Sequence, residues 1–576
     1  MVAVDTSILK RYMLNFSLED LKAYLGQGLV DTMLEWMSNN EVFTKAKLSE
    51  MILNVHGVNI LKNKSFRKSL VQAFSEKEIL SFRECLPNSY KNSGDLHIIC
   101  DKISEFPCKP NRVRDMILEI LNIPTSAFTT SSFDDVGQET LTAPDRFYEL
   151  LDYQFVIKQR ILNNLCKNIE LNRMIVHMPT GTGKTKTAMH TLCHYYNFNL
   201  DKHGIVIWIA HTTELLQQAY STFCSVWQHL GNGDVEAYKV WGSHDIDTSS
   251  NLNGIMFCGI QKLTSIFSTN HELKDKLIEN CRLIIYDEAH RASASETKEV
   301  IEQLMVKKQG MNDRALVGLT ATPGRATKLS LDNDLLVSMF SNQLIGIDVS
   351  VMNSINLSRI EALNAEEEGN IIRYFQNKRI LSKIKMERLT YNEDLTSDEL
   401  SQIRDDANSN GYTDFSKKVL EIIGKNKLRN IAIMQRLLKL NQDGIPTIVF
   451  ACSVEHGQLL SAMLSIQNVN NALVIGNMQQ QDRANAIAAF KDRENPINIL
   501  INYEVLTTGF DSTNIRCVFI ARPTQSVVLY SQMLGRGLRG PQMGGNEECL
   551  LIDVKDNLEK YNAEMAFGHF DNYWKA

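Results

Sequence analysis

The sequence predicts an α/β protein with two tandem parallel-sheet domains, an all-α unit ahead of them and a helical insertion between them. Three observations carry this. Short continuous apolar runs alternate with helical patterns between residues 172 and 321, the same alternation returns between 446 and 554, and residues 1–125 show only amphipathic helical spacing. A continuous apolar run is what a strand covered on both faces requires, and alternation with helices is the pattern of a parallel sheet. A chain of 576 residues is also too long for one core, since domains hold roughly 100–200 residues each.

Residues 1–125 read as an α-helical accessory domain. "SLEDLKAYL" opens with a possible capping box from Ser17 to Asp20, and "RVRDMILEIL" sets Val113, Met116, Ile117, Ile120 and Leu121 at helical spacing. "LKNKSFRKSL" carries Lys62, Lys64, Arg67 and Lys68, which is either a solvated face or a contact to a phosphate backbone. Residues 126–144 are rich in Ser, Thr and Asp and read as a linker. The first sheet domain then occupies 145–345, with "MIVHM", "GIVIWIA", "GIMFCG", "RLIIYDE" and "ALVGLTA" as its strands. Residues 346–445 read as the start of the second lobe with a helical bridge, including "NKRILSKIKMERL". The second sheet domain, 446–576, holds "PTIVFA", "ALVIG", "INILIN", "CVFIAR" and "CLLIDV", then a helical tail expected to pack Phe567, Phe570 and Trp574.

A formal net charge of −6 supplies no global attraction to nucleic acid or anionic membranes, so any such contact must be local. Eleven cysteines without a CxxC pair argue against a zinc site or a disulfide framework. No apolar stretch approaches a membrane span, and the reading is a cytoplasmic protein.

The chemistry is concentrated in two stretches. In "RMIVHMPTGTGKTKTAMH" a strand runs into a Gly-rich loop and then a helix. Thr180, Gly181, Thr182 and Gly183 bring backbone N–H groups to phosphates, Lys184 reaches the β- and γ-phosphates, and the Thr185 hydroxyl joins a magnesium ion. Met178 stands where the strict pattern has a small residue, so the loop is a variant. About a hundred residues on, "LIIYDEAHR" ends a buried strand in paired carboxylates. Asp287 is suited to orient magnesium and Glu288 to polarise an attacking water.

The ordered set "LLDYQ", "MPTGTGKT", "IAHTTELLQQA", "GIQKL", "YDEAH", "LTATP", "IVFACS", "VLTTGFD" and "QMLGRGLR" resembles superfamily 2 helicases and translocases over about residues 150–555. The resemblance implies two RecA-like domains with ATP and Mg2+ between them and nucleic acid across both. It implies that Gln154 reads adenine, with Tyr153 stacking nearby, and that Gln532, Arg536 and Arg539 approach the γ-phosphate from the second domain. Gly509 and Asp511 resemble the sensor of ATP and nucleic acid, and His290, Thr320 and Thr322 the coupling elements. His211, Thr212, Gln261, Cys452, Ser453, Thr507 and Thr508 resemble the contacts to the nucleic acid. Thr320 and Gln532 depart from the serine and histidine usual in DEAD-box RNA helicases. "LTATPGR" and "QMLGRGLR" look closer to the translocase subunits of type I and type III restriction enzymes and related repair or defence helicases. DNA is therefore expected over RNA, with any nuclease on a partner protein.

Overall fold

Strand formation follows the apolar runs. In chain order the strands are β1 Gln138–Leu141, β2 Asn172–His177, β3 Ile205–Ala210, β4 Val235–Val240, β5 Gly254–Gly259, β6 Cys281–Asp287, β7 Ala315–Thr320 and β8 Leu344–Ile345, followed by β9 Lys383–Leu389, β10 Thr447–Phe450, β11 Asn471–Val474, β12 Ile499–Asn502, β13 Cys517–Ile520 and β14 Glu548–Val554. β2, β3, β5 and β7 are buried at every position, as strands covered by helices on both faces must be. The computed structural model describes residues 6–554 except 27–28, 31–32, 34–42, 87–94, 106–110, 126–137, 142–148, 167–171, 201, 243, 245, 247–251, 307–313, 325–329, 348–370, 392–397, 399–400, 404–413, 477, 479, 493–496, 508–509, 511 and 525.

The first sheet has the order β1-β4-β5-β3-β6-β7-β2-β8 and is parallel except for β1, which runs antiparallel to β4. The second, β11-β12-β10-β13-β14-β9, is parallel throughout. In a parallel sheet all C-terminal strand ends share one edge, where open α/β folds bind ligands. The register pairs His177 with Thr320 and Asp287 with Leu319. That sets the Gly-rich loop, the carboxylate pair and the turn after β7 side by side.

Three elements differ from the sequence reading. Residues 138–141, inside the stretch read as linker, form the edge strand β1. "KIKMERL", read as helical, is β9, whose side chains are exposed or half-buried at the rim of the second sheet. Its register with β14 outweighs a charge pattern that suits a helix equally well. "VEAYKV" forms β4, unmarked because charged residues interrupt its apolar run. The tail with Phe567, Phe570 and Trp574 lies outside the described residues.

The N-terminal unit is helical. Ser17 caps the helix Leu18–Leu25 by accepting from Asp20 N at 3.0 Å, and Val113, Ile117 and Leu121 of the "RVRDMILEIL" stretch are buried, with Met116 and Ile120 packed against the same core. The basic run is largely consumed internally. Arg67 is buried and donates to Leu61 O and Lys62 O, and Lys68 pairs with Asp101 at 2.9 Å.

This unit docks on the second lobe. Leu459, Ala462 and Ile466 of the helix Val454–Ile466 join its apolar core. Around them Lys47 Nζ donates to Ile466 O at 2.9 Å, Asn54 Nδ2 to Ser465 Oγ at 2.8 Å and Asn59 Nδ2 to Asp482 Oδ2 at 2.6 Å. Burial pushes the Asp482 carboxyl up to about 6 from its ordinary 3.8, with the Lys62 ammonium pulling the other way. Because the folded form holds the proton more tightly, stability falls as pH rises through the window from about 4 to about 6 and is lowest above it. Asp482→Asn is expected to remove that slope and raise the melting temperature at neutral pH. A variant with the same pH slope as the unsubstituted chain would show that Asp482 does not set it.

Candidate nucleotide site between the lobes

The loop after β2 is shaped to bind an anion. Gly181 and Gly183 have φ of 86° and 79°, in the left-handed region, and Gly183 caps the helix Lys184–Phe198. The loop amides and the helix N-terminus therefore face the same side. Thr182 is buried and its hydroxyl donates to Pro179 O at 2.7 Å, bracing the loop from within. From beneath, Tyr153 Oη donates to Thr182 O at 2.6 Å and Gln154 Nε2 to the same carbonyl at 3.0 Å. Tyr153 is buried against Phe375, ring centroids 4.8 Å apart. Its ring is thus part of the loop's support, which corrects the expectation that it stacks on a base.

Asp287 and Glu288 follow at the end of β6. Glu288 N donates to Asp287 Oδ1 at 3.0 Å, and Glu288 itself adopts φ 54°. A left-handed conformation at a non-glycine residue costs energy and is met where a side chain must be aimed. Burial pushes the Asp287 carboxyl up, and the Glu288 charge adds to this against the pull of Lys184. Lys184 is shifted down, first by burial and then by Arg536, while Glu288 and Asp287 oppose the shift. Lysine, both carboxylates and a second-lobe arginine therefore share one electrostatic environment.

The turn after β7 is wired to this pair. Thr320 Oγ1 donates to Thr322 O at 2.8 Å and accepts from Thr322 N at 3.0 Å. With the hydroxyl proton so used, His290 Nδ1, 3.3 Å from Thr320 Oγ1 and 3.4 Å from Glu288 Oε2, faces both oxygens as a donor. His290, Thr320 and Thr322 thus link the catalytic candidate Glu288 to the strand beside β2.

The second lobe closes the site. A β-carbon at Gly535 would stand 2.4 Å from Thr180 Cγ2, and one at Gly181 would stand 3.5 Å from Leu381 Cδ2 and 3.7 Å from Arg539 Cγ. The segment carrying Arg536 and Arg539 therefore lies directly on the Gly-rich loop. Arg536 donates through Nε to Gln532 O at 3.2 Å and through Nη1 to Phe510 O. Gln532 is buried and its Nε2 has no hydrogen-bond partner among the described residues, a donor left open for a ligand oxygen.

These features fit a nucleoside triphosphate with a magnesium ion. The amides, Lys184, Arg536, Arg539 and the open Gln532 donor suit phosphate oxygens. Thr185 and the desolvated Asp287 carboxyl suit a hard cation, which would draw that carboxyl back toward its ionised form.

Comparison with known proteins agrees. Residues 147–325 match the family described as "Type III restriction enzyme, res subunit", and residues 429–540 match "Helicase conserved C-terminal domain". Among curated proteins, the chain is 24% identical to the putative ATP-dependent helicase IRC3 of Saccharomyces cerevisiae, over 70% of this chain and 51% of the yeast protein. It is 23% identical to the type I restriction enzyme EcoAI endonuclease subunit of Escherichia coli, over 69% of this chain and 45% of that subunit. It is 20% identical to putative helicase 22 of a Sulfolobus islandicus filamentous virus, over 97% of this chain and 90% of the viral protein. The two family matches fall on the two sheet domains, and over them the chain resembles superfamily 2 helicases. It spans about half the length of the yeast and bacterial relatives.

Two of the residues expected to hold nucleic acid are placed by helix capping. Thr212 Oγ1 accepts from Leu215 N at 3.3 Å and Ser453 Oγ from His456 N at 3.1 Å, each closing the first turn of a helix. The Thr507 hydroxyl donates to Glu504 O at 2.7 Å, Cys452 is buried with its thiol on Ala521 O, and Gln261 is exposed in the first turn of Ile260–Thr269. His211 Nε2 meets Tyr286 Oη at 2.8 Å, and burial moves its pKa down to about 4. Thr508, Gly509 and Asp511 lie outside the described residues.

Sequence reasoning missed two contributors. Glu214, two residues after Thr212, pairs with Arg483 of the second lobe, an ion pair across the interface. Arg429, fully buried, donates to Ala521 O at 2.8 Å, and His456 Nε2 meets Asn430 Oδ1 at 2.9 Å, together fixing the loops after β10 and β13. Glu214 lies inside "IAHTTELLQQA", but nothing in that stretch points to Arg483. Each depends on residues brought together only by the fold.

Proposed function

We propose that this chain hydrolyses ATP between its two lobes and uses the cycle to move along or unwind nucleic acid, DNA in preference to RNA. The observation that carries this is the arginine-bearing segment of the second lobe seated on the Gly-rich loop of the first. Lys184 and the loop amides hold the β- and γ-phosphates, and Thr185 and Asp287 hold Mg2+. The metal, when bound, neutralises developing phosphate charge. Glu288 accepts the proton of the attacking water. Arg536, Arg539 and Gln532 stabilise charge on the transferring group from the opposite lobe. His290, Thr320 and Thr322 transmit the state of Glu288 to the lobe contact. Loss of the terminal phosphate removes what the two arginines grip and lets the lobes part.

The names of the relatives, ATP-dependent helicases and a restriction endonuclease subunit, support a DNA motor. A role in DNA repair, restriction or antiviral defence, with a separate nuclease partner, is proposed on the same likeness. ATP turnover measured in parallel with single-stranded DNA, duplex DNA and RNA tests the reading, with Lys184→Ala as control. DNA should raise turnover most, and Lys184→Ala should abolish it. Greater stimulation by RNA would move the substrate to RNA. Turnover without displacement of a triplex-forming strand would replace the motor with a nucleotide-switched clamp.

A further inference from the structure

We propose that Ser382 is a positioning residue for Arg539 of the second lobe, and that segment 371–382 carries that positioning to the nucleotide loop. This rests on the ATP-site reading above. The segment touches both halves of the site. Its helix Ile371–Asn377 buries Phe375 against Tyr153, the residue whose hydroxyl holds Thr182 of the Gly-rich loop. Ile380 N and Leu381 N both donate back to Phe375 O, at 2.9 and 3.1 Å, so helix and strand-like end move together. Leu381 is buried and lies over Gly181.

At its far end the segment runs antiparallel to the arginine-bearing loop. Leu381 bridges Arg539, Ser382 N donates to Leu538 O at 2.9 Å, Gly540 N to Ile380 O at 2.9 Å and Gln542 N to Arg379 O at 3.0 Å. The approach is tight, since a β-carbon at Gly540 would stand 2.4 Å from Arg379 O. Ser382 is fully buried, and its hydroxyl faces Arg539 O at 2.6 Å and Asn546 O at 2.7 Å. One hydroxyl proton shared between two carbonyls pins both ends of the turn 539–546, which Asn546 N closes by donating to Arg539 O at 2.9 Å. The backbone bond from Asn546 N keeps Arg539 O partnered without the serine, so the turn can close in its absence. What it adds is a fixed register of Arg539 against the Gly-rich loop.

Ser382→Ala keeps every backbone bond and removes only this clamp. The expected result is a fall of about tenfold or more in kcat for ATP, because small displacements of an oriented group cost rate steeply. KM for ATP and the melting temperature should stay within error, and Ser382→Thr should recover most of the rate. Ser382→Ala combined with Arg539→Ala should turn over no more slowly than Arg539→Ala alone, since the serine acts through the arginine. Equal kcat in Ser382→Ala and the unsubstituted chain would overturn the proposal, as would fully multiplicative losses in the double variant. A lowered melting temperature with proportional loss of both kinetic constants would also overturn it, leaving the hydroxyl a stabilising group. Absence of turnover in the unsubstituted chain would overturn the ATP-site reading itself, a result distinguishable from the others.

Discussion

Glu288→Gln is expected to bind ATP normally and to lose at least about a hundredfold in turnover, the scale of a general base removed from a positioned water. The amide keeps the shape and the contact distance to His290 but cannot take a proton. Because Glu288 sits at φ 54° whatever its side chain, the substitution adds no backbone strain. The variant should therefore accumulate as a complex of ATP and nucleic acid, longer lived than that of the unsubstituted chain. Single-turnover hydrolysis, read beside nucleotide-dependent retention of labelled DNA, checks both halves. Hydrolysis at the unsubstituted rate would remove Glu288 from the chemistry.

The second large effect is expected from Gly535→Val. Gly535 has φ −57°, which any residue adopts, so the substitution tests only the approach of the lobes. Its β-carbon would meet Thr180 at 2.4 Å from Cγ2 and 2.6 Å from Cβ. The Thr180 Cβ cannot rotate out of the way, so the second lobe must stand off. Arg536 and Arg539 would then lie too far from the terminal phosphate. Loss of an arginine finger costs about a thousandfold or more in phosphoryl transfer, and a loss of that order is expected here with nucleotide affinity largely kept. Retention of rapid turnover would show that this lobe contact is not the hydrolytic arrangement.

The parts of this site legible in the sequence are those whose chemistry lies within one short stretch. The Gly-rich loop needs its glycines and lysine next to each other, and the carboxylate pair needs only the end of a buried strand. The apolar runs forecast β2, β3, β5, β6 and β7 because burial on both faces favours apolar side chains along most of each strand, the buried polar ones lying at the strand ends, as Asn172, Arg173 and His177 in β2 and Asp287 in β6 do. β9 was not legible, since an edge strand with exposed lysines and arginines shows neither alternation nor an apolar run. Tyr153 was misassigned because a tyrosine beside Gln154 reads the same whether its ring meets a base or Phe375. Ser382 gave no signal at all, as its partners Arg539 and Asn546 lie 157 and 164 residues away.

The docking of the first helices on Val454–Ile466 has a consequence for synthesis. The helix Lys45–His56 leaves the ribosome some four hundred residues before the surface it is meant to cover, a delay of roughly 20–80 seconds at 5–20 residues per second. Through that interval the face that later receives Leu459, Ala462 and Ile466 has nothing to rest on, and is a place for a chaperone to bind or for two nascent chains to stick. Slower elongation across the first lobe should therefore lower the yield of native protein more than the same slowing applied after residue 466.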